Sequence, residues 1–178
     1  MGQKVALLRG INVGGRMLPM AVLRELCTGL GWQNVRTYIA SGNVLFEADG
    51  TSAANEAELG AAIAGHFPFK VPVIVRTAQQ WADYPDSNPF KAAAREAPNR
   101  LLLFVSKRPP AADVEARLQE RATMGEQVRS AGELVWILFP EGIAQSKLSP
   151  VLIDKLFESP ATSRNYRTVA KLKEMLEP

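Results

Sequence analysis

The stretch Lys4-Val5-Ala6-Leu7-Leu8-Arg9-Gly10-Ile11-Asn12-Val13-Gly14-Gly15-Arg16-Met17-Leu18-Pro19 reads as a strand, a glycine-bearing loop and the start of a helix. Residues 4–9 form the strand and residues 10–18 the loop. Pro19 suits a first helical turn, and Met20, Val22, Leu23, Leu26 and Leu30 follow at helical spacing until Gly29 and Gly31 stop the run. Residues 35–40 and 44–48 are strands joined by Ser41-Gly42-Asn43, a turn signal because Gly and Asn tolerate positive φ. An Ala-rich helix over 54–66 and a strand over 71–76 complete the order β-α-β-β-α-β.

Residues 99–165 repeat that order: strand 100–106, helix 111–122, strands 126–129 and 133–139 around Ala131-Gly132, helix 146–157 and an extended segment 161–164. A last helix covers 169–176. The two halves share a pattern and no convincing identity. The expected fold is therefore α+β, two tandem ferredoxin-like subdomains with an extra C-terminal helix. The expected boundaries are 1–76 for the first subdomain, 77–98 for a linker with some helix, and 99–178 for the second with its terminal helix. The central strands are apolar on both faces, as in Val5-Ala6-Leu7-Leu8 and residues 101–105 and 134–139, so the side of each sheet without helices also needs cover, from the partner domain or a second chain.

Composition bounds the chemistry. The chain has 178 residues with one Cys and one His, which excludes an internal disulfide and the common Cys/His zinc modules. No apolar run approaches the roughly 18 residues of a membrane helix, and the N-terminus lacks the apolar core of a signal peptide, so a cytoplasmic protein without membrane association is expected. The net charge is only +3, but its distribution is uneven. Lys147, Lys155, Arg164, Arg167, Lys171 and Lys173 face only Asp154 and Glu158 within that span. Such a stripe neutralises phosphates or simply solvates a surface.

The β-α-β-β-α-β order with strand order 4-1-3-2 brings the loop after the first strand and the hairpin after the second to one end of the sheet. Arg9, Gly10, Asn12, Gly14 and Gly15 should thus converge with Ser41, Gly42 and Asn43. Glycines there free backbone N–H groups for an anion, and the following helix adds the positive end of its dipole. The spacing fits neither the P-loop nor the dinucleotide pattern, and glycines in such a loop also serve conformation alone. In the last third, Asn165 or Thr168 caps a helix, and Arg164 and Arg167 flank the cap where the dipole disfavours cations. That placement invites an anion or an acidic side chain, and a fold-back of this segment onto the first loop would make one polar cleft between the halves.

Catalytic candidates are few. His66 reads as a capping or packing residue, Cys27 as a small buried hydrophobe, and Ser41 as a turn residue without an identifiable base. The acidic residues form no cluster of the two-metal kind. The first strand also lacks the aromatic residues on which single-stranded RNA is stacked by domains of this topology.

Residues 7–15 (Leu-Leu-Arg-Gly-Ile-Asn-Val-Gly-Gly), 38–46 (Tyr-Ile-Ala-Ser-Gly-Asn-Val-Leu-Phe), Asn88-Pro89-Phe90 and 161–169 (Ala-Thr-Ser-Arg-Asn-Tyr-Arg-Thr-Val) together resemble the signature blocks of the bacterial DUF1697 family. Tyr166 stands where that family usually has Trp. The resemblance implies a two-part α+β protein and no particular activity. The expectation is a protein that binds a small anionic ligand such as a nucleotide through Arg9, Gly10, Asn12, Gly14, Gly15, Ser41, Gly42, Asn43, Arg164, Asn165 and Arg167. No catalytic residue, metal site or cofactor is assigned. The alternatives are a nucleic-acid-associated protein using the late basic stripe, and an enzyme of unassigned activity; a homo-oligomer is compatible with either.

Overall fold

In the computed structural model, which describes residues 1–177, the opening strand is β1 (Gly2–Leu8), followed by α1 (Met20–Gly29), β2 (Gln33–Tyr38), β3 (Asn43–Ala48), α2 (Ser52–His66) and β4 (Val73–Thr77). Two short helices, α3 (Ala78–Asp83) and α4 (Lys91–Glu96), occupy the expected linker. The second set is β5 (Leu101–Ser106), α5 (Val114–Gln119), β6 (Gln127–Ala131), β7 (Leu134–Leu138), α6 (Pro150–Phe157), β8 (Ala161–Asn165) and α7 (Tyr166–Leu176). The architecture is mixed α+β, with two four-stranded antiparallel sheets ordered β2-β3-β1-β4 and β6-β7-β5-β8. The chain divides into two units. One holds Met1–Ala82 and the C-terminal residues from Leu172, and the other holds Asp83–Lys171, so α7 starts in the second unit and ends with the first.

In the first unit the apolar residues of one sheet face, Ala6, Leu8, Val44, Phe46, Val73 and Val75, pack with Leu23 and Cys27 of α1 and with Leu59 and Ile63 of α2. Trp32, just before β2, stacks on Phe46 with ring centroids 3.8 Å apart. Lys4 shares this face by strand alternation and is only 5% exposed, an expensive place for an ammonium unless its protons are bonded. They are: Nζ donates to Asn55 Oδ1 (2.6 Å), to the Gly50 carbonyl (2.7 Å) and to the Asp49 carbonyl (3.3 Å). Thr51 caps α2 by accepting from the Ala54 N–H. Val5, Leu7, Leu45 and Ile74, on the alternate face, are buried as well.

In the second unit Leu102, Phe104, Val135 and Ile137 of the sheet pack with Val114 and Leu118 of α5 and with Ile153, Leu156 and Phe157 of α6. Two helices are shorter than their sequence periodicity predicts. The helix predicted over 146–157 starts at Pro150, because Ser149 accepts from the Leu152 N–H and Pro150 takes the first helical position. Ser146 is instead turned to Glu126, and residues Ile143–Gln145 form a 3-10 turn. The helix predicted over 111–122 is reduced to α5, whose last residue, Gln119, spends its amide on β6, donating to the Glu126 carbonyl and accepting from the Val128 N–H, both at 2.9 Å.

Glu126 is buried at 3% exposure and anchors this corner. Burial alone would raise its carboxyl pKa, but the Ser146 hydroxyl and the Met124 N–H (2.7 Å) donate to it and hold it below the ordinary value of 4.5. Its folded value lies below its unfolded one, so its stabilising contribution is complete above the unfolded pKa and disappears as pH falls through the folded value. Glu126→Gln is expected to lower stability at pH 7 by about 1–3 kcal/mol. Chemical denaturation of both proteins across pH 3–7 should show that difference shrinking on the acid side. A difference independent of pH would separate the effect from the charge.

Candidate functional site

The loop after β1 and the turn between β2 and β3 meet at one end of the first sheet, as the strand order requires. The ladder between β1 and β3 reaches Leu7 opposite Asn43 and is extended by the Leu8 N–H donating to the Gly42 carbonyl at 2.8 Å. The approach is so close that a Cβ on Gly42 would lie 2.7 Å from Ile11 Cδ1 and 2.8 Å from Leu8 Cβ, and the residue sits at φ +82°. Only glycine fits there. Asn12 then ties the two segments together: its amide nitrogen donates to the Ala40 carbonyl (2.7 Å) and the Leu18 carbonyl (3.1 Å), and its Oδ1 accepts from the Leu18 N–H (2.9 Å). The Asn12 N–H donates to the Arg16 carbonyl at 2.7 Å, closing the loop on itself.

Within that closed loop residues 13–16 form a β-turn, with the Arg16 N–H donating to the Val13 carbonyl at 3.2 Å. Gly14 and Gly15 have φ of 57° and 82°, the double left-handed pair that a type I′ turn needs. Their N–H groups find no acceptor among the described residues. The Arg16 side chain is exposed, lies against Gly10 and makes no hydrogen bond or ion pair among the described residues. Residues 9–24 and 36–46 contain Arg9, Arg16, Arg24 and Arg36 and no Asp or Glu. Three of these arginines are engaged: Arg24 donates to the Thr37 hydroxyl and Arg36 to the Met175 carbonyl, both at 2.7 Å, and Arg9 also has a partner within the protein. The tip therefore presents bonding capacity for negative charge that the fold itself leaves unused at Gly14, Gly15 and Arg16.

Several residues expected to bind a ligand are occupied in folding instead. The Asn12 amide is spent on the loop closure, and Gly42 is a packing residue whose small size lets Leu8 and Ile11 approach. Asn43 is fully buried, and its side-chain nitrogen donates to the Tyr38 carbonyl (2.9 Å) and to Ser41 Oγ (3.2 Å). Arg164, 8% exposed on β8, donates to Thr162 Oγ1 (2.9 Å) and to the Ser163 carbonyl (2.8 Å), and burial lowers its pKa to about 10. Asn165 is the cap of α7, accepting from the Thr168 N–H at 2.9 Å. Arg167 is exposed on α7. Arg9 and Gly10 are half-buried, and Ser41, Gly14 and Gly15 are exposed.

The Arg164–Asn165 pair has a counterpart in the first unit, which identifies it as architecture. Arg76 lies opposite Val5 on β4, just as Arg164 lies opposite Leu103 on β8. Arg76 Nη1 donates to the carbonyl of the preceding residue at 2.9 Å, and Thr77 caps the next helix by accepting from the Gln80 N–H, as Asn165 does for α7. Sequence patterning alone missed this correspondence, because Thr77-Ala78 and Asn165-Tyr166 share no residue. Arg16 ends the loop segment without being counted among the expected ligand-binding residues, and its lack of an acidic partner among the described residues is visible only in three dimensions.

The acid–base candidates lie elsewhere. Burial pushes the Cys27 thiol up to about 12, so its thiolate is scarce. His66 is exposed at the end of α2, its ring edge-on to Phe67. Among the described residues no three His, Cys, Asp or Glu side chains gather to hold a metal ion. No described helix is long and apolar enough to cross a membrane.

One further feature of the tip is costly. Ile39, half exposed at 50%, has φ +50°. A β-branched residue in the left-handed region is disfavoured by about 1–2 kcal/mol, and the exposure of its side chain forgoes burial besides.

A family model described as "Protein of unknown function (DUF1697)" matches residues 1–136, which includes both loops of the tip and stops short of the 161–169 block. A solved structure, that of conserved bacterial protein SP0830 from Streptococcus pneumoniae, superposes with a TM-score of 0.76 at 26% identity, covering 100% of this chain and 99% of that one. Among curated proteins none matches.

The closure at Gly42 makes a sharp expectation. Gly42→Ala should cost about 1–2 kcal/mol for the left-handed backbone and about 1–3 kcal/mol for overpacking against Leu8 and Ile11, whereas Gly14→Ala, with open space around its Cβ, should cost only the backbone part. Urea denaturation of the two variants measures this. Equal losses would mean that the close approach is not what fixes residue 42.

Proposed function

The chain belongs to the DUF1697 family, and from its own geometry we propose that it is a cytoplasmic protein that binds a small anionic ligand, of which a nucleotide is the representative, at the tip of its first unit. We read each unit as a ferredoxin-like sandwich, on the strength of the order β2-β3-β1-β4 and its counterpart β6-β7-β5-β8, with the subdomains and linker expected at 1–76, 77–98 and 99–178.

One observation carries the binding proposal: a turn pinned by Asn12 offers two unbonded N–H groups, at Gly14 and Gly15, and ends in Arg16, whose guanidinium packs against Gly10 and has no carboxylate partner among the described residues. Backbone N–H groups held in a fixed concave or turn geometry are a recurring way to hold phosphate oxygens, and an arginine adds charge-assisted bonds. The Asn12 bonds and the 13–16 turn tie the loop without a ligand, an arrangement that would reduce the ordering entropy opposing binding. The proposed contacts are Arg9, Gly10, Gly14, Gly15, Arg16 and Ser41. Asn12, Gly42 and Asn43 support them from beneath. Arg164 and Asn165 are spent within their own unit, and the proposal does without them.

Thermal shift with ATP and with inorganic phosphate tests this. At about 100 times its dissociation constant a ligand adds about 2.7 kcal/mol, which for a chain of this size raises Tm by about 5–10 °C. The increment should disappear in Arg16→Ala and persist in Arg167→Ala, since Arg167 lies outside the proposed site. An increment that survives Arg16→Ala, or the absence of one with any phosphate compound, would overturn the assignment.

A further inference from the structure

A small anion accounts for the amides and the arginine of the tip and leaves its exposed aliphatic side chains unexplained. Val13, Met17 and Ile39 are 62%, 67% and 50% exposed, and all three lie on the two loops that Asn12 joins. Exposed apolar side chains are unremarkable when scattered singly, whereas three of them on two loops tied together by Asn12 are where a contact surface would be sought. Ile39 is also held at φ +50°, where Gly or Asn would be less strained. Its branched side chain is stiff at χ1, so the hairpin displays a rigid apolar knob at its turn. Strain of this kind is kept where the geometry is used.

Resting on the anion-binding reading above, we propose that the partner at this tip is duplex nucleic acid, with Ile39 wedged at a base step while Arg16 and the Gly14–Gly15 amides hold a flanking phosphate. Charge complementarity supports a polyanion: the tip loops, residues 9–18 and 39–42, carry Arg9 and Arg16 and no carboxylate. The rigidity discriminates among polyanionic surfaces. A fluid bilayer accepts an aliphatic side chain in any pose and gives no return on a strained, fixed one. A base step is a slot of defined geometry, and aliphatic side chains from minor-groove-binding proteins kink duplexes by entering it. Single strands are gripped by stacking on exposed aromatic rings, and Tyr38, the only aromatic residue of the hairpin loop's flanks before Phe46, is half-buried.

The decisive comparison uses the full chain and a 20-base-pair duplex with a central TA step carrying 2-aminopurine, read by anisotropy and by 2-aminopurine emission. The wild-type protein should bind more weakly as salt rises and should increase the emission as the step unstacks. Ile39→Asn relieves the backbone strain, so its Tm should equal or exceed that of the wild type while its affinity falls at least tenfold and the emission change is lost. Arg16→Ala should weaken binding and reduce the slope of log affinity against log salt by about one. Ile39→Asn binding and unstacking like the wild type while Arg16→Ala is impaired would overturn the wedge and leave the anion site standing. Indifference of both ATP and duplex binding to Arg16→Ala would overturn the anion site itself and the proposal with it. No duplex binding, together with Ile39-dependent association with phosphatidylglycerol vesicles, would overturn the proposal in favour of a lipid surface.

Discussion

The absence of a side chain at Gly42 is the constraint on which the tip of the first unit depends. Because no Cβ separates the hairpin from Leu8 and Ile11, the β1–β3 ladder runs one bond further than the strands themselves, and the loop after β1 is drawn against residues 40–42. That proximity is what lets a single Asn side chain reach from residue 12 to the Ala40 carbonyl, 28 positions away in sequence. Without the close approach the Asn12 amide would have only local partners, and the turn at residues 13–16 would lose its tie to the hairpin. With it, two connections that sequence alone would treat as separate are one body.

Buried charge elsewhere is compensated within each unit, and this is what makes the tip distinctive. Lys4 is ringed by a side-chain amide oxygen and two carbonyls, Glu126 receives a hydroxyl and an N–H, and Glu56 accepts from the Val75 N–H at 2.8 Å with Arg76 at 4.0 Å. Burying an ionised group without such partners costs several kcal/mol. The repeated arrangement of Arg76 with Thr77 and Arg164 with Asn165 belongs to the same economy, a way of starting a helix from an edge strand beside a buried guanidinium. Arg16 follows a different rule, since it is solvated and needs no partner for folding.

The order of elements was legible because most announce themselves locally: apolar runs for the central strands, and spaced aliphatics bounded by Pro19 and Gly29 for α1. The start of α6 was not: the helix expected from residue 146 begins at Pro150, and Ser146 is committed to Glu126, 20 residues earlier. Convergence of the two loops was legible as well, since it follows from strand order alone. What each polar residue does at the convergence was not. An asparagine in a turn bonds equally well to backbone or ligand, and only the position of Ala40 decides for Asn12. Nor could pattern reveal Ile39 at positive φ, because every propensity of a β-branched residue argues against it.

The distribution of titratable groups limits what the tip can do. The lone thiol is inside α1 with its pKa driven up to about 12 by burial, and the lone imidazole ends α2 against Phe67. The tip itself offers guanidinium, hydroxyl and amide groups, all hydrogen-bond donors at neutral pH. Their common capacity is to hold negative charge in a fixed geometry. On the proposal made above, specificity at the tip rests on shape and polarity together, with charge attracting an anionic partner and an apolar slot in that partner offsetting the conformational cost at Ile39.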